Sequence, residues 1–281
     1  SGGAGTTGGA AGAGKGGAAG TGGAGGAGKG GAAGASGAGG AGGAGTAGAG
    51  GQMTGCLGDL QNLGVGFTLT KAKGVVDAVH ITTPINGVLF ANGTATKVTG
   101  DPMACEFVKT LWAFADVAKA HGFVRIGTLG SYCYRCCCAW SQTNYCRGPD
   151  DPEPDCGSNG YSNHSWGRAV DVRYLYKADG TMYDVNDNAD FAKFTSTDTC
   201  GKGIQAQTGV SKELYTLVCD TGAKKLFSVI LTPNYNDAHR NHFHMDIGQS
   251  GPASGFTVKS SHPDVDFDDG SPDACGSGAG P

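Results

Sequence analysis

The residues best suited to chemistry in this sequence are histidines gathered in two short segments. The first segment, 162–171, contains His164 and Asp171. The second segment, 233–246, contains three more: His239, His242 and His244. Imidazole and carboxylate groups are common zinc ligands, so two separate segments that both supply them predict a metal site.

The second segment ends in a predicted strand, 242–247, that carries two of these histidines. Side chains alternate across a strand, so His242 and His244 face the same side and Phe243 faces the other. The apolar side can then pack in a core while both imidazoles line a cleft. His239, just before the strand, is close enough along the chain to reach the same cleft.

The first segment adds an imidazole and a carboxylate on either side of a turn. His164 precedes the turn at Gly167, and Asp171 lies in the strand predicted after it. Together with either His242 or His244, they form a set of two histidines and one carboxylate. Three protein ligands with a free position are typical of catalytic zinc sites, whereas structural sites are usually closed by four.

Apolar periodicity predicts the elements that position these ligands. A helix is predicted over 102–121, capped by Asp101 and ended by Gly122, and a shorter one over 211–219, capped by Ser211. Strands are predicted at 64–69, 75–81, 87–91, 123–126, 168–176, 226–232 and 242–247. Helices and strands do not alternate regularly, so we expect an α+β fold: a small antiparallel sheet with flanking helices that form a zinc cleft.

Composition divides the chain into three parts. Residues 1–51 contain only Gly, Ala, Ser, Thr and Lys, which cannot bury a core, so they predict a disordered tether. Residues 52–249 carry the predicted elements as one domain, and the acidic, polar residues 250–281 predict a flexible tail. Because the chain starts at Ser1 without Met, we expect a processed product, and a lipid anchor attached upstream of Ser1 would suit the tether.

Charge and cysteine content indicate which classes of partner the chain binds and in which cellular compartment it works. The formal net charge is −4, which is unlike a nucleic-acid-binding protein, and no apolar run is long enough for a transmembrane helix. The 11 cysteines are scattered through a loop-rich domain, which predicts disulfides and an extracytoplasmic location: periplasmic, cell-surface or secreted. Because their number is odd, we expect one thiol without a partner in the chain, and Cys275 in the tail is the first candidate.

The two histidine segments resemble motifs of known metallopeptidases. The first resembles the SxHxxGxAxD pattern of the superfamily of D-Ala-D-Ala carboxypeptidase, lysostaphin-type and hedgehog zinc metallopeptidases. The matching residues are Ser162, His164, Gly167, Ala169 and Asp171. The second resembles the HxH motif of the same superfamily. The sequence around it, LTPNYNDAHRNHFHMDI at 231–247, is similar to the bacterial extensin-like C-terminal domain family. The resemblance covers about residues 56–248.

This resemblance implies roles for particular residues. Zn²⁺ would be held by His164, Asp171 and His244, as in the murein endopeptidase branch, whose HxxHxH spacing is similar. His242 would be the general base and His239 a supporting active-site histidine. Arg135 is the expected anchor for a substrate carboxylate or a developing oxyanion, and Asp237 or Asp246 could orient a ligand histidine.

The implied function is a secreted zinc peptidase that acts on the stem peptides of peptidoglycan, as a carboxypeptidase or an endopeptidase. The alternative is a metal-binding but non-catalytic cell-wall binding or signalling module of the same fold. Two departures from the family bear on substrate preference. Asn163 stands where relatives often carry Glu, and the cysteine-rich stretch from Cys136 to Cys156 resembles an insertion beside the cleft.

Overall fold

The computed structural model describes residues 53–136, 146–156, 160–194, 199–235, 237–248 and 257–259. All of them belong to the second of two compact units, Gly51–Pro281. The tether predicted at 1–51 and the candidate free thiol of Cys275 lie outside the described residues.

The described residues form an α+β fold, as predicted. The helices are α1 (Gly55–Asn62), α2 (Cys105–Ala120), α3 (Ile204–Ala206) and α4 (Gly209–Ala223). The strands are β1 (Phe67–Leu69), β2 (Ala78–Ile81), β3 (Leu89–Asn92), β4 (Met103–Ala104), β5 (Phe123–Gly130), β6 (Ala169–Lys177), β7 (Met182–Asp184), β8 (Val229–Leu231), β9 (Phe243–Asp246) and β10 (Thr257–Lys259). None of the described helices is long and apolar enough to cross a membrane.

The strands form two sheets. The larger has seven strands in the order β10-β8-β9-β6-β5-β3, with β7 also paired to β6; the smaller has the order β1-β2-β4. The large sheet is mixed and not wholly antiparallel as predicted, because β3 pairs with β5 and β10 pairs with β8 in parallel. Helix α2 is the crossover between the parallel strands β3 and β5. Three residues of the predicted flexible tail form β10.

The core lies on one face of the central strands. Val170 and Val172 of β6 and Phe243 and Met245 of β9 have no exposed surface. They belong to the same apolar cluster as the buried side of α2, where the Phe114 ring packs against Phe90 and Phe227 at centroid distances of 6.4 and 5.7 Å. Because strand side chains alternate, the intervening residues of β6 and β9 face the other way. The predicted burial of Phe243 is confirmed.

The predicted helix starts were wrong for a tertiary reason. Helix α2 begins at Cys105, since Met103 and Ala104 pair with β2 as strand β4. Asp101 caps no helix there, and its carboxylate accepts a hydrogen bond from the Ser131 N–H at 2.8 Å. Ser211 lies inside α4, where its Oγ accepts from a backbone N–H of a neighbouring loop. Long-range strand pairing thus overrides the local capping pattern at α2.

Disulfides are present, as predicted. The described pairs are Cys56–Cys105, Cys133–Cys146, Cys136–Cys156 and Cys200–Cys219. The first joins α1 to α2, and the last joins α4 to the turn before α3. The two middle pairs hold together the described ends of the cysteine-rich stretch, whose residues 137–145 lie outside the described part of the chain.

Candidate metal centre

His164 sits on a short 3-10 turn, Asn163–Trp166, that ends at Gly167 in the left-handed conformation. The Oγ of Ser162 accepts a hydrogen bond from the His164 N–H at 3.3 Å. The Oγ of Ser165 donates to the carbonyl of Arg135 at 2.8 Å and accepts from the N–H of the same residue at 2.9 Å. These bonds fix the turn on the segment that precedes the cysteine-rich stretch.

Gly167 is required by both backbone conformation and space. Its φ is +61°, and a Cβ built on it would lie 2.8 Å from the backbone nitrogen of Ala104. That nitrogen donates to the Gly167 carbonyl at 3.0 Å, so neither group can retreat without losing the bond.

We expect Gly167→Ala to lower the free energy of unfolding by about 2 to 4 kcal/mol, from left-handed strain and overpacking together. The matched control is Gly93→Ala, because Gly93 has φ +56° but open space around its Cβ position. The control should lose only the strain contribution, about 1 to 2 kcal/mol. Urea unfolding of both variants measures the difference, and equal losses would contradict the steric role of Gly167.

Strand pairing brings the other two ligands together. Asp171 of β6 lies directly opposite His244 of β9 in the antiparallel register. Both point away from the core face of the sheet, because their neighbours Val170, Val172 and Phe243 are buried in it.

Three side chains converge on one point at this position. The Nδ1 of His244 lies 2.9 Å from Oδ1 of Asp171, and the Nε2 of His164 lies 3.2 Å from the same oxygen. The two ring nitrogens are 3.3 Å apart. The three ligand atoms all lie within 4.8 Å of one another, so this group could hold a metal ion. The histidines are buried while the Asp171 side chain keeps 17% of its surface exposed, so solvent reaches the group from the Asp171 side.

The structure places the three predicted catalytic residues beside this group. The Nε2 of His242 lies 3.4 Å from Oδ1 of Asp171. The His239 ring lies 5.2 Å from the His242 ring and 5.7 Å from the His244 ring, centroid to centroid. Arg135 is half-buried and close enough for its positive charge to act on His242. The structure thus brings all six predicted residues together, and their roles remain predictions.

Two polar residues stand behind the histidines of the second segment. Oδ2 of Asp246 lies 3.0 Å from Nε2 of His244, and Asp246 is 1% exposed. Of the two aspartates considered from sequence, the side chain of Asp237 is not among those described, and Asp246 makes this contact. Asn241 was not predicted from the sequence to take part in the site. Its Oδ1 lies 2.8 Å from Nδ1 of His242. Its only signal in the sequence is its place next to a histidine.

Hydrogen bonds and charges outweigh burial at the two paired ligands. Burial acts to raise the pKa of the Asp171 carboxyl, but the charges of His164 and His242 hold that pKa well below its ordinary value. Burial acts to lower the pKa of His244, but hydrogen bonds to Asp171 and Asp246 raise it to about 10. In the metal-free protein, His244 is therefore an imidazolium at neutral pH.

Burial dominates at the two neighbouring histidines. It lowers the pKa of His242, while the charge of Asp171 acts to raise that pKa and the charges of His244, His164 and Arg135 act to lower it. Burial also holds the pKa of His239 well below its ordinary value, with further contributions from the charges of His244 and His242. Both rings are consequently neutral near pH 7 and able to accept a proton.

Metal binding is expected to release about one proton per ion near pH 7, because Nδ1 of His244 must lose its proton before it can donate a lone pair. The apparent affinity for Zn²⁺ should rise about tenfold per pH unit up to about pH 10, where the ring titrates. Without metal, protonated His244 contributes to the free energy of unfolding. This contribution is fully present below about pH 6.5 and is lost as the pH rises through about 10, the pKa of His244 in the folded protein.

Calorimetric titration in buffers with different ionisation enthalpies counts the released protons. Asp246→Asn is the matched comparison, because it replaces the anionic partner of His244 with a neutral amide and should lower both the His244 pKa and the proton count. Zinc binding without proton release in the unsubstituted protein would contradict the assignment of His244 as a ligand through Nδ1.

The fold and the site define an α+β domain with a largely buried group of two histidines and one carboxylate. The family model for the extensin-like protein C-terminus matches residues 55–256, and the chain belongs to that family. The matched range contains all six predicted site residues. Neither the curated proteins nor the solved structures compared with the chain include a match.

Proposed function

We propose that this chain is a zinc-dependent peptidase of the metallopeptidase superfamily named above, acting on the stem peptides of peptidoglycan. The observation that carries the proposal is the convergence of His164, Asp171 and His244 on one point, with a neutral histidine 3.4 Å from the shared carboxylate oxygen. A ligand set closed on one side and open on the other is what a catalytic zinc ion needs.

The donor atoms suit zinc. Two imidazole nitrogens and one carboxylate oxygen are a ligand set of known catalytic zinc sites. The buried carboxylate of Asp246 occupies the far nitrogen of His244, so the remaining nitrogen faces the other two ligands. Zinc bound here would supply Lewis-acid chemistry, activating water and polarising a scissile carbonyl.

His242 is the proposed general base. Its Nε2 faces the ligand oxygen of Asp171, and its lowered pKa leaves that nitrogen unprotonated near pH 7. It can accept a proton from the attacking water and later give it to the leaving amine. His239 packs against the rings of both His242 and His244 and supports their orientation.

Arg135 is the proposed substrate anchor. Its backbone is tied to the His164 turn by bonds to Ser165 and by its carbonyl, which accepts from the Ser162 N–H at 3.1 Å. The positive charge of its guanidinium also acts on His242, which supports a position close to the proposed ligands. A guanidinium binds carboxylates through two parallel hydrogen bonds, which suits the free terminus of a stem peptide.

The disulfides support an extracytoplasmic location for this reaction. Four pairs are described in the domain, and disulfides persist in oxidising compartments. We propose that the domain works in the periplasm, at the cell surface or outside the cell, where peptidoglycan is accessible.

Digestion of purified peptidoglycan tests the function. Zinc-loaded protein should release new muropeptides, detected by mass spectrometry; chelated protein should release none, and added Zn²⁺ should restore the products. Release of a terminal residue would indicate a carboxypeptidase, and cleavage of cross-linked dimers an endopeptidase. Zinc binding and peptidoglycan binding without new products would contradict the peptidase and favour the non-catalytic binding module.

A further inference from the structure

The two histidines at the end of the second segment both face the carboxylate of Asp171 but have different partners behind them. His244 contacts a carboxylate, that of Asp246, through its far nitrogen. His242 contacts a neutral amide, that of Asn241, through its far nitrogen. The two rings are otherwise alike: both are buried, and each turns its near nitrogen towards Oδ1 of Asp171.

The partner determines which ring nitrogen carries the proton in a neutral histidine. A neutral imidazole has one N–H donor and one acceptor nitrogen. Oδ1 of Asn241 can only accept, so at 2.8 Å it selects the tautomer of His242 with the proton on Nδ1. Nε2 then carries the lone pair, and this is the atom that lies 3.4 Å from the ligand oxygen of Asp171.

We propose that Asn241 is a positioning residue that holds His242 in the Nδ1–H tautomer, so that its Nε2 lies beside Asp171 as a proton acceptor. This inference rests on the proposed function, in which His242 takes a proton from water. The Asn241 side chain has no described hydrogen bond to His164, Asp171 or His244, and it acts through the His242 ring.

The difference between the two partners also separates the two roles. An anionic partner strengthens a histidine as a metal ligand, which is the usual arrangement of carboxylate, histidine and zinc. A neutral amide fixes the ring orientation and tautomer without adding negative charge behind it. Asp246 therefore favours His244 as the ligand, and Asn241 leaves His242 as the residue that exchanges protons.

Nitrogen-15 NMR of the zinc-loaded protein tests the tautomer directly. Long-range couplings of the His242 ring should show the proton on Nδ1. In Asn241→Ala this preference should be lost, whereas Asn241→Asp, which keeps an acceptor at the same position, should retain it. An Nε2–H tautomer in the unsubstituted protein would overturn the proposal, because the Asn241 amide would then donate rather than accept. An unchanged tautomer in Asn241→Ala would overturn it as well.

Zinc affinity and turnover separate this role from a merely structural one. Both Asn241 variants should bind zinc within about threefold of the unsubstituted protein, whereas Asp246→Asn should lose about 10 to 100-fold. On peptidoglycan, kcat of Asn241→Ala should fall about 10 to 100-fold with KM unchanged. Asn241→Asp should keep the tautomer but shift the acidic limb of the kcat profile to higher pH, because its negative charge raises the pKa of His242. A fall in kcat that merely follows lost zinc would contradict the proposal. The NMR result does not depend on turnover, so an inactive protein with the Nδ1–H tautomer would count against the peptidase alone.

Discussion

His244→Ala is expected to abolish stable zinc binding. The substitution removes one of three ligand atoms and also leaves the carboxylate of Asp246, which is 1% exposed, without its histidine partner. Loss of a residue that hydrogen-bonds a metal ligand lowers metal affinity by about 10 to 100-fold, so loss of the ligand itself should lower it considerably more. Elemental analysis after dialysis should find about one zinc per chain in the unsubstituted protein and none in the variant.

The matched control is His121→Ala. His121 also contacts a carboxylate, with its Nε2 2.9 Å from Asp220, but it follows α2 and is not among the three residues grouped as ligands. It should retain full zinc content. Circular dichroism of both variants checks that the fold survives. A His244→Ala variant that keeps its zinc would point to His242 as the third ligand, which is the other possibility that the residue pattern left open.

Replacing His242 with alanine is expected to leave zinc bound while lowering kcat by about 10² to 10⁴-fold, the usual contribution of a positioned general base. The substitution removes the nitrogen beside Oδ1 of Asp171 and leaves the three ligand atoms in place. The assay follows release of peptides from purified peptidoglycan by zinc-loaded protein.

The zinc content of the same variant decides how its kinetics are interpreted. Full zinc content with lost turnover supports a proton-transfer role. Lost zinc would contradict it and make His242 a ligand. His239→Ala is the useful comparison, because its ring packs against those of His242 and His244, and we expect a smaller loss of kcat than in the His242 variant.

The parts of the site that depend on local sequence were predictable. A two-residue spacing in a strand places His242 and His244 on one face whatever the rest of the chain does. The turn at Gly167 was visible because few other residues tolerate a positive φ. The α+β class followed from the mixture of helical and alternating apolar patterns.

The parts that depend on long-range pairing were not predictable from local patterns. The parallel pairings of β3 with β5 and of β10 with β8 join residues far apart in sequence. The start of α2 was missed because β4 pairs with β2 just before it. The contacts of Asn241 and Asp246 could not be predicted, because they depend on which nitrogen of each histidine ring faces Asp171. That orientation is set by the strand register that places Asp171 opposite His244.

The separation of the ligands along the chain makes metal binding a contribution to folding. His164 and His244 are 80 residues apart, so one ion bound to both would fasten a long loop much as a covalent crosslink does. An ion that binds only the folded chain adds about 2.7 kcal/mol when its free concentration is 100 times its dissociation constant. The melting temperature would then report zinc occupancy. Where zinc is scarce, proteolysis of the opened chain would remove the protein sooner, so zinc supply would regulate its abundance as well as its chemistry.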